Sequence, residues 1–180
     1  MKVKALQKTN IRNKTLATII AVVSAVALPQ IAHVIGAYVG FGSSVGETFL
    51  PMHLPVILAG FVGGPVVGAV AGALSPVISF ALTGMPAAVA LPFIVIEVFS
   101  YGLVSGLLSK VKINSFLKIL AVQLSGRVMR IAAVAVATAV FGFEGITVNA
   151  VLSSMALGVA GIIIQWIAVV LVNKKYEKSV

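Results

Sequence analysis

Long apolar runs, separated by short polar or glycine-rich breaks, dominate the hydrophobic pattern of this chain. A helix that crosses a bilayer needs about 20 mostly apolar residues. The runs predict six helices, at residues 15–35, 50–63, 66–82, 88–108, 115–141 and 147–172. The first run is longer than the apolar part of a signal peptide, about 7–15 residues, so we interpret it as a span. The pattern therefore predicts an all-α integral membrane protein, a compact six-helix bundle that forms a single domain over residues 1–180.

The composition excludes a soluble protein and several classes of enzyme. Of the 180 residues, 60% are hydrophobic and 9% are charged, whereas a soluble domain has roughly 25% charged residues. The chain has no cysteine and no aspartate, which excludes disulfides, thiolate metal sites and aspartyl intramembrane proteases. His33 and His53 are the only histidines, and we predict that this chain binds neither a metal nor a cofactor.

The basic residues indicate how the predicted spans are oriented. Eleven of the 13 lysines and arginines lie in segments that six spans would place on one side, namely residues 2–14, 110–118 and 174–178. The segments on the other side carry Glu47 and Glu144 and no basic residue. Because short cytoplasmic segments are enriched in Lys and Arg, both termini are predicted to be cytoplasmic. Topology thus explains the net charge of +9, and nucleic-acid binding is not needed to explain it.

Small residues recur at helical spacing in several of the runs. Glycine repeats every fourth residue, at Gly60, Gly64, Gly68 and Gly72, and again at Gly102 and Gly106. Small residues let helices approach closely in a membrane, so these glycines predict tight packing within the bundle. Ala17, Ala21 and Ala25 give the first helix one flat face, which could pack inside the bundle or dock another membrane protein.

Two arginines, Arg127 and Arg130, are the only charged residues between positions 119 and 143. Charged groups at bilayer depth normally face a cavity or a partner. Gln123, Arg127 and Arg130 follow a spacing of i, i+4 and i+7, so they share one face of the fifth helix. In the fourth helix, Glu97 and Tyr101 also share a face.

The depth of these side chains predicts which of them can pair. At 1.5 Å per residue, Glu97 and Arg130 each lie about 15 Å from the outer ends of their helices, so they can form an ion pair. Arg127 is then left without an acidic partner. One interpretation is a structural helix pair in which Arg127 binds backbone carbonyls. The other is a binding pocket with a net charge of about +1, in which the planar fork of an arginine holds a carboxylate.

Two further polar residues lie near the predicted outer ends of helices. His53 is either an interfacial histidine bonded to a loop carbonyl or a hydrogen-bonding group at the mouth of the pocket. Asn149, near the start of the sixth run, could also reach the pocket.

Two segments of the chain resemble the S components of the energy-coupling factor (ECF) family of vitamin importers. They are residues 49–86, FLPMHLPVILAGFVGGPVVGAVAGALSPVISFALTGMP, and residues 96–108, IEVFSYGLVSGLL. The series PMHxP, AGFxxGP and TGMP most resembles the pantothenate branch. The resemblance implies a substrate-binding subunit in the plasma membrane of a prokaryote. It also implies a transmembrane coupling subunit and two cytoplasmic ATPases as partners, with the alanine face of Ala17, Ala21 and Ala25 as the docking surface. Gating is expected from residues 36–47 and from residues 83–91, which include Thr83, Gly84, Met85 and Pro86.

The vitamin itself is suggested by the charge of the pocket. A net positive pocket disfavours cationic thiamin and favours a small anion such as pantothenate, while nicotinate, biotin and lipoate fit the charge nearly as well. Folate and cobalamin are further alternatives within the family. The chain has no phosphate loop of the form GxxxxGK[ST], so ATP hydrolysis would belong to the partners.

Two other classes of protein are weighed against the importer subunit. An intramembrane hydrolase using His53 and Glu97 lacks a nucleophile motif, because GLVSG at residues 102–106 is not GxSxG. A small structural or channel-forming membrane subunit is the remaining alternative. We therefore expect a subunit that binds substrate and is not an enzyme.

Overall fold

The computed structural model of the protein describes residues 2–40 and 51–177, and this part of the chain contains helices and no strand. The described helices are α1 (Lys2–Tyr38), α2 (His53–Gly63), α3 (Pro65–Thr83), α4 (Leu91–Leu108), α5 (Ser115–Phe141), α6 (Val148–Leu157) and α7 (Val159–Glu177). The first predicted gating segment lies outside the described residues from position 41 onward, as does residue 50, the predicted start of the second helix.

The bounds of the fifth predicted helix, residues 115–141, are confirmed at both ends. The Asn114 side chain accepts a hydrogen bond from the backbone N–H of Phe116, which caps the N-terminus of α5. Gly142 has a φ of 61° and ends the helix in the left-handed conformation that glycine adopts without strain. A similar division separates α2 from α3, where Gly64 has a φ of 88° and Pro65 starts the next helix.

Two helix predictions are corrected by the structure. The first helix begins at Lys2 instead of residue 15, because residues 2–14 contain no glycine or proline that would end it, despite their polar character. The sixth predicted run, residues 147–172, forms α6 and α7, which meet at Gly158. Glycine is unfavourable inside a helix, so a run containing Gly158 and Gly161 is a site where a helix can be interrupted.

Four of the described helical segments are long and apolar enough to cross a membrane: Ile11–Tyr38, Pro65–Thr83, Leu91–Leu108 and Ser115–Phe141. The segments His53–Gly63 and Gly161–Leu171 are apolar but shorter. The chain is therefore a multi-pass membrane protein. The count of six spans and the cytoplasmic termini remain predictions.

The centre of the bundle is formed by backbone contacts among α2, α3 and α4. A Cβ atom built on Gly68 would overlap the carbonyl group of Gly102, and one built on Gly102 would overlap that of Gly68. A Cβ atom built on Gly60 would overlap the side chain of Ser105, and one built on Gly72 would overlap the carbonyl of Val98. Glycine is required at these crossings because the helices leave no space for a side chain, which confirms the predicted packing role. Gly64 differs, since it has open space around it and serves the turn.

The alanine face of α1 packs inside the bundle, which is one of the two uses predicted for it. Ala21 is 6% exposed and Ala25 is fully buried, in a cluster that includes Val67 and Ala71 of α3. Ala17 packs against the edge of the same cluster. The small side chains are used to bring α1 close to α2 and α3, so this face is not open to a partner protein.

Lys118, predicted to lie in a cytoplasmic segment, is buried within α5. Its side chain is 6% exposed, and its Nζ donates a 3.5 Å hydrogen bond to the carbonyl of Ser109 at the C-terminal end of α4. A cation in this position satisfies a carbonyl that the helix leaves free and is favoured by the helix dipole. Lys118 therefore joins α4 to α5 at the end opposite Arg130.

Candidate functional site

One cavity of about 370 Å³ lies among the described helices, within the range of small-molecule sites. It is lined by residues of α1, the start of α2, α3, α4, α5 and α6, and by the α3–α4 loop. The lining residues are Pro29, Gln30, His33, Pro51, Met52, His53, Ser79, Met85, Pro86, Ala87, Ala90, Ile94, Glu97, Arg127, Arg130 and Ser154.

Glu97 and Arg130 form an ion pair at the cavity wall, as their depth predicts. Nη1 of Arg130 lies 2.9 Å from Oε2 of Glu97. The other carboxylate oxygen, Oε1, accepts a 2.8 Å hydrogen bond from the hydroxyl of Tyr101, one turn along α4. Both oxygens of this carboxylate are therefore occupied, and Glu97 is only 2% exposed. The single negative charge of Glu97 balances that of Arg130, so a second arginine at the cavity is left with a positive charge that no acidic lining residue offsets.

Arg127 has no partner among the described residues. Its Nε is buried and makes no hydrogen bond there, and no backbone carbonyl in the described part of the chain accepts one from this side chain. The interpretation that Arg127 binds backbone carbonyls is therefore not observed. With Glu97, Arg127 and Arg130 as its charged lining residues, the cavity carries a net charge of +1 when histidine is neutral.

Gly126 sets the distance between the helices that carry these charges. A Cβ atom at this position would overlap the ring of Tyr101 and the carbonyl region of Glu97. The absence of a side chain lets α5 lie directly on α4, so that Arg130 reaches Glu97. The sequence analysis did not identify this residue, although SGR at residues 125–127 places a glycine next to a membrane arginine.

His53 and Tyr101 are in contact beside the cavity. Their rings pack edge to face, with centroids 5.1 Å apart and planes at 61°. His53 lines the cavity at the start of α2 and is 8% exposed. Tyr101 does not line the cavity, and it acts on the site through its hydrogen bond to Glu97.

Two of the predicted site residues lie away from the cavity. The amide of Gln123 links α5 to α7: its Nε2 donates to Oε1 of Gln165 at 3.1 Å, and its Oε1 accepts from the indole N–H of Trp166 at 2.7 Å. Asn149 is exposed in the first turn of α6. The structure thus brings together His53, Glu97, Arg127 and Arg130, with Tyr101 behind them.

Four polar lining residues were missed by the sequence analysis: Gln30, His33, Ser79 and Ser154. Gln30 and His33 are polar residues within an apolar run at a spacing of i and i+3, the signal that identified Gln123, Arg127 and Arg130. Neutral polar residues in an apolar helix are a weaker signal than charged ones, because charged groups are the costlier to place at bilayer depth.

The predicted gating loop, Thr83, Gly84, Met85 and Pro86, forms one wall of the cavity. Met85 and Pro86 line it directly. The Thr83 hydroxyl donates to the carbonyl of Ser79 at 2.8 Å and accepts from the N–H of Met85 at 3.3 Å and from Nε2 of Gln30 at 3.4 Å. The loop is therefore held both to α3 and to α1. A gating role for it remains a prediction.

We expect Gly84→Val to accelerate ligand release by roughly five- to thirty-fold. Gly84 has a φ of 72° and open space where a Cβ would lie, so a substitution acts through the backbone alone. A left-handed conformation costs an L-residue about 1–2 kcal/mol, which disfavours the loop conformation that lines the cavity. Stopped-flow dissociation of a bound ligand measures the effect. Gly84→Asn is the matched control, because asparagine tolerates this conformation. Equal release rates for the two variants would exclude a gate that depends on Gly84.

Comparison with known protein families matches residues 14–173 to the family described as "ECF transporter, substrate-specific component". No curated protein and no solved structure matches the chain. The matched segment covers α1 from Lys14 onward and extends through most of α7, and so includes the whole of the cavity.

Proposed function

Because the chain belongs to the family of ECF transporter substrate-specific components, we propose that its cavity captures a small anionic vitamin, with pantothenate as the first candidate. Family membership makes the chain the substrate-specific subunit of an ECF importer, a subunit that binds its substrate. The choice of an anion rests on one observation. Arg127 lines the cavity with a buried guanidinium nitrogen that has no partner in the described part of the chain.

A carboxylate satisfies this arginine better than water or a neutral ligand does. A planar guanidinium binds a carboxylate through two parallel charge-assisted hydrogen bonds, which are roughly twice as strong as neutral ones. The ligand charge would also bring the cavity from +1 to neutrality, which lowers the cost of keeping Arg127 and Arg130 away from water. Nicotinate, biotin and lipoate satisfy the same arginine. Folate and cobalamin are much larger molecules and fit a cavity of about 370 Å³ less well.

The remaining parts of the proposal follow from the family. The subunit would reside in a prokaryotic plasma membrane and associate with a transmembrane coupling subunit and two cytoplasmic ATPases, which supply the ATP hydrolysis. Its surface for the coupling subunit would lie outside the buried face of Ala21 and Ala25. The apolar residues Ile19, Ile20 and Val23 are exposed on the other face of α1.

The proposal is tested by identifying what the purified protein binds. Mass spectrometry of small molecules released from the detergent-purified protein should detect a carboxylic acid. Calorimetric titration should give saturable binding of pantothenate with one site per chain, and weaker binding of panthenol, in which an alcohol replaces the carboxylate. Absence of saturable binding by pantothenate, nicotinate, biotin and lipoate would instead favour the small structural subunit. Tighter binding of panthenol than of pantothenate would reject the anionic ligand.

A further inference from the structure

Unpaired polar atoms are concentrated at the cavity. Four buried side-chain atoms lack a hydrogen-bond partner among the described residues: His33 Nδ1, Arg127 Nε, Arg130 Nε and Gln165 Nε2. Three of these four belong to residues that line the same cavity. A buried polar group left unpaired costs about 1–3 kcal/mol, so native proteins rarely keep one without a reason. A cavity where such atoms gather is suited to a ligand that pairs with them.

His33 lies on a different wall of the cavity from the arginines. It belongs to α1, which packs on α2 and α3, whereas Arg127 and Arg130 belong to α5, which packs on α4. The other polar lining residues on α1 and α3, Gln30 and Ser79, are uncharged. The cavity therefore has a cationic wall on α5 and a neutral polar wall formed by α1 and α3.

Within the neutral wall, His33 is the residue with a buried side-chain atom that lacks a hydrogen-bond partner among the described residues. The side-chain amide of Gln30 already donates to the Thr83 hydroxyl at 3.4 Å. Nδ1 of His33 is buried and unpaired in the described part of the chain. An imidazole nitrogen can donate or accept depending on its tautomer, so a hydroxyl, which does both, is a suitable partner for either form.

We propose that His33 binds a neutral hydrogen-bonding group, a hydroxyl or an amide-like group, at the end of the ligand remote from its carboxylate. This inference rests on the proposed function. It narrows the substrate class to molecules that have a carboxylate at one end and a neutral hydrogen-bonding group at the other. Pantothenate, with its hydroxyl groups, and biotin, with its ureido group, have this chemistry. Lipoate ends in a disulfide ring that bonds poorly to hydrogen donors, and nicotinate is a single small ring with its carboxylate attached directly.

The test compares ligands that differ only at the remote end. N-pivaloyl-β-alanine keeps the carboxylate, the amide and a branched apolar group, but lacks both hydroxyls of pantothenate and the carbon between its amide and its branch. Calorimetry should show that His33→Ala weakens pantothenate binding roughly tenfold, the loss expected for one hydrogen bond to a neutral group, and weakens N-pivaloyl-β-alanine binding less than twofold. His33→Asn, which keeps a donor and an acceptor, should recover part of the loss. Val34→Ala, at a 56% exposed position of the same helix, is the matched control and should bind as the wild type does.

Each outcome separates this inference from the proposed function. If Arg127→Ala weakens both ligands while His33→Ala changes neither, or changes both equally, His33 does not recognise the remote group and the inference is wrong. Tightest binding of lipoate or nicotinate by the wild type would also reject it. If Arg127→Ala changes no affinity, the proposed carboxylate site fails, whatever His33→Ala does. If the wild type binds none of pantothenate, N-pivaloyl-β-alanine, biotin, lipoate and nicotinate, both proposals are rejected. If His33→Ala does not yield folded protein, His33→Asn takes its place in the test. A smaller preference for pantothenate over N-pivaloyl-β-alanine than in the wild type supports the inference, and an unchanged preference rejects it.

Discussion

Arg127→Ala should bind pantothenate roughly thirty- to a thousand-fold more weakly than the wild type. The substitution removes a charge-assisted bidentate contact, which is worth about 2–4 kcal/mol, at 1.4 kcal/mol per tenfold change in affinity. Arg127 should matter more than Arg130, because Arg130 is already paired with Glu97 at 2.9 Å. Arg127→Lys should recover only part of the loss, since an ammonium group cannot reproduce the planar fork.

The measurement is a calorimetric titration of pantothenate and panthenol against the wild type and Arg127→Ala in detergent. Panthenol should bind the wild type poorly and lose little further affinity in the variant, because it has no carboxylate to lose. Val128→Ala, at a 59% exposed position on the next residue of α5, controls for general effects on this helix. Equal losses for both ligands would show that Arg127 does not bind the carboxylate and that its role is structural.

Substitution of Gly102 should have the largest effect on folding. In Gly102→Ala the new methyl group overlaps the carbonyl of Gly68, and neither backbone can yield without moving a whole helix. Overpacking of this kind costs about 3 kcal/mol, against which alanine gains about 1 kcal/mol in helix propensity. The net loss of about 2 kcal/mol should lower Tm by roughly 4–8 °C. Gly102→Val adds two more methyl groups at the same contact, and we expect no folded protein.

Thermal unfolding in detergent, followed by size-exclusion elution and by tryptophan fluorescence, measures this series. Ala81→Val is the matched control, because it adds the same kind of bulk to α3 at an exposed position. Its Tm should stay within about 2 °C of the wild type, since surface substitutions rarely change stability by more than about 0.5 kcal/mol. Recovery of folded Gly102→Val with an unchanged Tm would show that α3 and α4 are not in backbone contact at Gly68 and Gly102.

The parts of the site that could be predicted from sequence are those fixed by helix geometry. The rise of 1.5 Å per residue was enough to place Glu97 and Arg130 at the same depth, and they form the expected ion pair. The period of 3.6 residues placed Arg127 beside Arg130. The break between the predicted helices at residues 66–82 and 88–108 is also observed, with Gly84 at a φ of 72°.

The parts that could not be predicted depend on which neighbour covers a helix at each level. Gln123 shares a face with Arg127, but it lies one turn away, where Gln165 and Trp166 of α7 cover α5 and the cavity has ended. The alanine face of α1 is equally compatible with packing inside the bundle and with docking, because both need small residues. The rotation of a helix about its axis is set by contacts far away in sequence, and a single sequence does not show these.

The contact between Gly68 and Gly102 has a consequence for how such a subunit can change its ligand in evolution. The frame formed by α2, α3 and α4 is held together through main-chain surfaces, so its shape depends little on which side chains point into the cavity. The polar residues that are proposed to bind the ligand, such as His33 and Arg127, lie on α1 and α5, outside that frame. A few exchanges on those two helices could therefore convert the specificity of the subunit while the central scaffold stays the same. In protein engineering, the corresponding experiment would introduce the cavity-lining residues of α1 and α5 at the matching positions of a related subunit.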